Sequence, residues 1–332
     1  MPFHPAAARP AAHASACGRA VLLLLGALFL APALAQKYPA HPVRIVVPFP
    51  PGSAPDQTAR IVGQELQNSL GQSFVADNKP GAQGAIAATE VAKSPNDGYT
   101  LLLTTNTTQA ANVSLFKKLP YDPVKDFAPV TRIGGTALML MVRNDFHAHT
   151  LKDLIAYARA NPDKLSAGYG SSATQVAIGM LQTQGKLHVL SVPYKGVPQT
   201  ALDVMAGQIS FSFVDAAVGL AQIRGGKLRA LGVTSLTPNR LAPDLPLFTT
   251  DLPGFEIGTW YGVVAPAGTP RDVVLLLNNA IQKGLNKPDV REHFSTMGLD
   301  MMLMGPDEFG PFIKSEVVKW AGRIKDAGIQ PE

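Results

Sequence analysis

The chain has 332 residues, of which 46% are hydrophobic and 16% charged, with a formal net charge of +5. At roughly 150 residues per domain that length fits two domains. The charged fraction is below the roughly 25% of typical soluble domains, yet mean hydropathy is only +0.10, which excludes both a disordered and a polytopic chain. Part of the apolar excess lies in residues 21–34, which carry no charge, follow Arg9 and Arg19, and end at Ala33-Leu34-Ala35. A basic flank, a short apolar core and an A-x-A site predict a secretory signal peptide cleaved after Ala35. The apolar run, interrupted by Pro32, is too short for the roughly 20 residues that span a bilayer. Cleavage removes the single cysteine, Cys17, so the mature chain has neither a disulfide nor a thiol nucleophile. No basic run remains, which argues against nucleic acid as a partner.

The mature part alternates strand-like and helix-like segments. Residues 43–47 are β-branched, and 48–55 form a proline-rich loop containing Gly52. Residues 57–70 carry Ile61, Val62, Leu66 and Leu70 at helical spacing, closed by Gly71. A strand over 74–76, a helix over 81–92 and a strand over 99–103 complete a βαβαβ rhythm, which predicts a parallel sheet covered on both faces. A second set follows, with strands over 137–142, 165–169, 189–192, 209–214, 228–234 and 255–264. Its helices are expected over 151–160, 176–184 and 198–206, and residues 270–332 read as helical.

The sequence carries no catalytic signature. There is neither a G-x-G-x-x-G nor a G-x-x-x-x-G-K-[ST], and Gly170-Ser171-Ser172-Ala173-Thr174 lacks the closing glycine of a nucleophile elbow. His147 and His149 beside Asp145 have no further ligand at metal-binding spacing, so neither metal nor cofactor is expected. What the chain offers instead is three loops at the carboxyl ends of strands, where open parallel sheets bind ligands. Ser53 with Asp56 and Ser172 with Gln175 read as capping patterns at helix starts. Residues 104–108 are almost entirely short hydrogen-bonding side chains, Thr105 and Asn106 among them. Helix starts favour an anion, and the Gly52 and Ser53 N–H groups are expected to face a cleft. Asp215, after a strand, either receives a ligand amine or a water, or caps the next segment. Trp260 either stacks on a ligand or packs at a hinge.

Taken together, Pro48-Phe49-Pro50-Pro51-Gly52, Asp77-Asn78-Lys79-Pro80-Gly81, Asp97-Gly98-Tyr99-Thr100-Leu101, Leu119-Pro120-Tyr121-Asp122-Pro123, Val192-Pro193-Tyr194-Lys195-Gly196 and Ala265-Pro266-Ala267-Gly268-Thr269-Pro270 carry a resemblance over the mature chain. It resembles the receptors of tripartite tricarboxylate transporters, the Bug-type periplasmic solute-binding proteins. The resemblance implies an α/β flytrap of type II kind with two crossing strands. Its domains would be 36–138 plus 262–332 and 139–261, after the signal at 1–35. It implies a periplasmic monomer that captures a small organic carboxylate and passes it to a two-subunit membrane permease. Phe49, Pro51, Gly52 and Ser53 of the first loop and Ser171, Ser172 and Thr174 of the second-domain loop would hold the ligand, joined by Thr105, Asn106 and Asp215. The family's glycine-rich second loop is shortened here and lacks its histidine, which points to an altered grip. Two other readings stand beside this one: an exported serine esterase using Ser171 or Ser172 with a histidine, and a ligand-sensing co-receptor.

Overall fold

The computed structural model describes residues 1–4 and 38–331; the signal-peptide segment and its cleavage site lie outside them. Residues Pro39–Glu332 form one compact unit. Among the described residues no helix is long and apolar enough to cross a membrane.

Two sheets share one strand. In the first, β1 (Val43–Val47) lies between β2 (Phe74–Asn78) and β3 (Thr100–Thr105), all parallel. The sheet then turns antiparallel: β3 pairs with β9 (Gly258–Pro266), and β9 with β4 (Phe127–Arg143). The edge strand β10 (Asp300–Met304) pairs with β4 as well. The expected all-parallel sheet is therefore mixed. β4 runs for 17 residues, far beyond the expected 137–142. Pro129, Gly134 and Gly135 hide its first half from a period-2 reading, and register shifts fall beside them.

At Ala137 the pairing with β9 ends, and from Leu138 onward β4 pairs with β7 (Phe211–Asp215) and β8 (Leu228–Val233). Beyond β7 lie β5 (Ser166–Tyr169) and β6 (Leu190–Pro193), parallel to each other. Alternation along β4 serves two cores: Leu138, Leu140 and Val142 join one buried cluster, Met139 and Met141 another on the opposite face. Both faces must be covered for such a strand to read as an unbroken apolar run.

Helix boundaries follow their caps. Helix α1 (Ala54–Leu70) starts at Ser53, whose side chain accepts the Asp56 N–H, and stops at Gly71 in the left-handed region. The expected helix over 81–92 is split. A 3-10 turn, Ala82–Gly84, carries Gln83 at positive φ, and only Ala85–Ala92 (α2) is α-helical. After β3 the hydroxyl-rich segment winds into a π-helical turn, Thr107–Ala111, and a short helix α3 (Asn112–Leu115). Helix α4 (Leu151–Ala160) has the capping box Thr150–Asp153, and α5 (Ser172–Gly185) has the box Ser171–Thr174. The cap thus lies one residue before the expected Ser172–Gln175 pattern. The remaining helices are α6 (Val197–Met205), α7 (Ala216–Arg224), α8 (Phe248–Asp251), α9 (Arg271–Leu285), α10 (Pro288–Thr296) and α11 (Pro306–Asp326).

Candidate ligand cavity

The starts of α1 and α5, one from each sheet, border the same cavity. The first half contributes Phe49, Ser53, Pro55, Thr105, Asn106 and Thr107, and β9 contributes Thr259 and Tyr261. The second half contributes Ser171, Val197 and Asp215. Six of the ten expected residues therefore meet on one wall: Phe49, Ser53, Thr105, Asn106, Ser171 and Asp215.

The other four are placed elsewhere. Pro51 and Gly52 are exposed and outside the cavity lining. The Ser172 hydroxyl is buried and donates to Thr107 Oγ1 at 2.8 Å. The Thr174 hydroxyl accepts the N–H groups of Gly170 and Ser171, both at 3.1 Å, which closes the turn before α5.

The first loop folds around a buried carboxylate. Asp56 Oδ2 accepts the Gly52 N–H at 2.9 Å, and Oδ1 accepts Asn78 Nδ2 at 3.0 Å and pairs with Arg60 Nη2 at 3.0 Å. Asn78 Nδ2 also donates to the Phe49 carbonyl at 2.9 Å. Burial pushes the Asp56 carboxyl upward, but the bonds from Arg60, Gly52 and Asn78 outweigh it and hold the group below the usual carboxylate range. The Ser53 N–H donates to the Pro50 carbonyl at 3.2 Å. The expectation that the Gly52 and Ser53 N–H groups face the cleft is thereby corrected: both are spent inside the loop. Gly52 is instead required by its φ of +79°, and a Cβ built there would meet nothing within 4 Å. Gly52→Ala should consequently cost about 1–2 kcal/mol of stability through the left-handed backbone alone. Denaturant titration would read that loss, and calorimetry should find ligand affinity almost unchanged.

Asn106 follows β3 and is fully buried, yet neither its Oδ1 nor its Nδ2 has a hydrogen-bond partner among the described residues. Asp215 occupies the N-cap position of α7 without making a side-chain cap. Its Oδ1 accepts the hydroxyls of Thr259 and Tyr261, each at 3.0 Å. Burial pushes both the Asp215 carboxyl and the Tyr261 phenol upward. Thr259 and Tyr261 escaped sequence reasoning, although their spacing of two on a strand puts them on one face. Trp260, between them, points the other way. It packs edge-on against Phe309 and Phe312 at 5.7 and 5.3 Å and donates to Glu316 Oε2 at 2.8 Å, so its role is packing at the crossing strand.

Further contacts join the halves. Gln83 Nε2 donates to Gln175 Oε1 at 2.7 Å, and Gly196, just before α6, lies against the Pro50 ring. No histidine lines the cavity. His41 stacks on Tyr99, and His147 packs on Phe146 and Tyr157. Asp145 pairs with Arg143, and among the described residues no cluster of three or more metal-ligating side chains occurs.

Residues 58–329 match the family described as tripartite tricarboxylate transporter family receptor. The chain belongs to that family. The receptor is 33% identical to Protein BugT of Bordetella pertussis over 304 residues, covering 90% of this chain and 93% of that one. Among solved structures it superposes on Rhodopseudomonas palustris Rpa4515 with adipate at a TM-score of 0.87 and 31% identity, covering 89% of this chain and all of the other. MatC from the same organism, with bound malate, superposes at a TM-score of 0.81 and 29% identity, covering 86% of this chain and all of the other. The receptor is a solute-binding protein of the periplasmic Bug type, with the α/β fold of that group.

Proposed function

We propose that the receptor is exported, captures a small organic carboxylate between its two halves, and delivers it to a two-subunit membrane permease of the tripartite tricarboxylate type. The observation that carries this reading is the cavity itself, where two capped helix starts meet a ring of hydroxyls and an unpartnered amide. The starts of α1 and α5 leave first-turn N–H groups, at Ala54 and at Ser172 and Ala173, without helical acceptors. Such donors and the helix dipoles favour an anion, and the relatives solved with adipate and malate fit that preference. The two domains are assigned as 36–138 with 262–332 and 139–261. The exchange of β4 partners at Ala137 and Leu138 supports a hinge there, and the pairing of β9 from Gly258 supports a return crossing just before it.

The esterase alternative needs a histidine against a serine. The cavity wall holds none, and Ser171 and Ser172 are engaged with Thr174 and Thr107. Native mass spectrometry of the gently purified exported protein should find a bound small organic acid. N-terminal sequencing should find Gln36 first. Asn106→Leu should weaken capture of that acid by about tenfold, the loss of one good hydrogen bond. It should leave stability equal or higher, because a buried amide without partners is removed. Affinity unchanged in that variant would remove Asn106 from the site. A deletion strain that loses induction by the acid but keeps its uptake would assign the receptor to sensing instead of transport.

A further inference from the structure

Four consecutive residues before α2 have positive φ: Gly81 at +137°, Ala82 at +45°, Gln83 at +51° and Gly84 at +77°. Glycine adopts such backbone freely, whereas a residue with a long side chain is disfavoured there. At position 84 glycine is also needed for space, since a Cβ would lie 2.8 Å from Pro48 Cβ and 2.9 Å from Thr108 Cγ2. At position 83 glycine would relieve the backbone, so the glutamine has to be explained by its side chain. The hydrogen bond of that side chain goes to the opposite half: Nε2 donates to Gln175 Oε1, on the first turn of α5, at 2.7 Å. Its own Oε1 is buried without a partner among the described residues. The main chain is tied the other way. The Gln83 carbonyl accepts Asn112 Nδ2 from α3 at 3.1 Å, and the Gly84 N–H closes on the Gly81 carbonyl at 2.9 Å. The backbone of Gln83 is therefore anchored in one half while its amide is engaged by the other. Neither glutamine lines the cavity.

We propose that Gln83 is a positioning residue for capture, a preset arm whose bond to Gln175 holds the two halves together once an acid is inside. This rests on the capture reading above and deepens it by naming a contact that keeps the halves closed. The left-handed turn fixes the Gln83 backbone through contacts within its own half, before the halves meet. Closure then has to order only the side-chain torsions of the two glutamines, which leaves more of the bond for affinity. Because the bond exists only with the halves together, it slows release of the acid and leaves association untouched. The strained backbone is the cost of aiming the arm. Stability and affinity are therefore set against each other at this one position, whereas a residue that only shaped the turn would move both in the same direction.

The test compares Gln83→Gly, Gln83→Asn and Gln175→Ala with the natural exported protein, using whichever of succinate, glutarate, adipate and malate the natural protein binds most tightly. Glycine removes both the strain and the arm. Asparagine tolerates left-handed φ but is one methylene shorter, too short to reach Gln175. Both variants should unfold at a higher temperature without ligand, yet bind the acid about fivefold more weakly, the loss of one hydrogen bond. Stopped-flow mixing should place that loss in faster dissociation. Gln175→Ala should weaken binding equally without raising the unfolding temperature, and adding Gln83→Gly to it should weaken binding no further. Gln175→Glu keeps an acceptor for Gln83 Nε2 and should retain the affinity. Unchanged affinity and dissociation in Gln83→Gly and Gln175→Ala would overturn the arm while leaving the capture reading intact. So would losses that add in the double variant, or stability and affinity that fall together in Gln83→Gly. If neither these acids nor any other organic acid binds the natural protein, both readings fall together.

Discussion

Gly196→Val is expected to lower ligand affinity by about a hundredfold without unfolding the receptor. Gly196 has φ −177° and ψ 162°, extended backbone that any residue adopts, so the substitution adds no strain of its own. The penalty is spatial: a Cβ at this position would overlap Cδ of Pro50 and lie 2.7 Å from its Cγ. Pro50 belongs to the first loop and Gly196 to the opposite half, so the collision exists only while the halves are together. Overpacking of this kind costs about 1–3 kcal/mol, and at the upper end that is roughly a hundredfold in affinity. Under the proposed capture by closure, the whole cost falls on the closed form. Calorimetry should show the loss, thermal unfolding should be near normal, and small-angle scattering should show an expanded protein that ligand no longer contracts. Unimpaired binding would mean that the Pro50–Gly196 contact is not part of capture.

A second large effect is expected at Asp56. Asp56→Ala removes the acceptor of the Gly52 N–H and of Asn78 Nδ2, while Arg60, more than half exposed, returns to water. Losing these partly buried bonds should cost about 1–2 kcal/mol and loosen the loop that carries Phe49 and Ser53, so stability and affinity should fall together. The same carboxylate sets an acid limit. Its folded pKa is depressed, so its contribution is fully present above the unfolded value of about 3.9 and is lost as pH falls through the folded one. Acid titration of stability should therefore steepen below about pH 4 in the natural protein. Asp56→Asn, which cannot titrate, should flatten that part of the curve. An unchanged slope would exclude Asp56 as a source of the acid lability.

Local chemistry was legible in the sequence, and distant pairing was not. Ser53, Gly71 and Thr150 announce helix ends because each works within a few residues of itself, and they stand where expected. The hydroxyl run after β3 announced a polar wall for the same reason. Ser171 rather than Ser172 caps α5, because Thr174 closes the turn with its hydroxyl and the glutamine three residues after Ser172 reaches across to Gln83. Gly52 departs from expectation for a similar reason: its N–H belongs to a carboxylate four residues away that also collects Asn78 from β2. The pairing of Asp215 with Thr259 and Tyr261 spans 44 and 46 positions of chain, beyond the reach of any periodic signal. The first half of β4 was hidden because proline and glycines interrupt it at bulges that only its neighbours impose.

Glu316 on α11 has an optical consequence. Its Oε2 accepts the indole N–H of Trp260 at 2.8 Å and that of Trp320 at 3.1 Å, and these are the only two tryptophans in the chain. Every indole that fluoresces is thus tethered to one carboxylate, and one of the two lies on β9, next to the residues that hold Asp215. The unlabelled receptor carries its own gauge: if ligand draws the halves together as proposed, the emission of both rings should respond as one signal. A single cuvette then suffices to rank candidate solutes by the concentration at which that signal turns over.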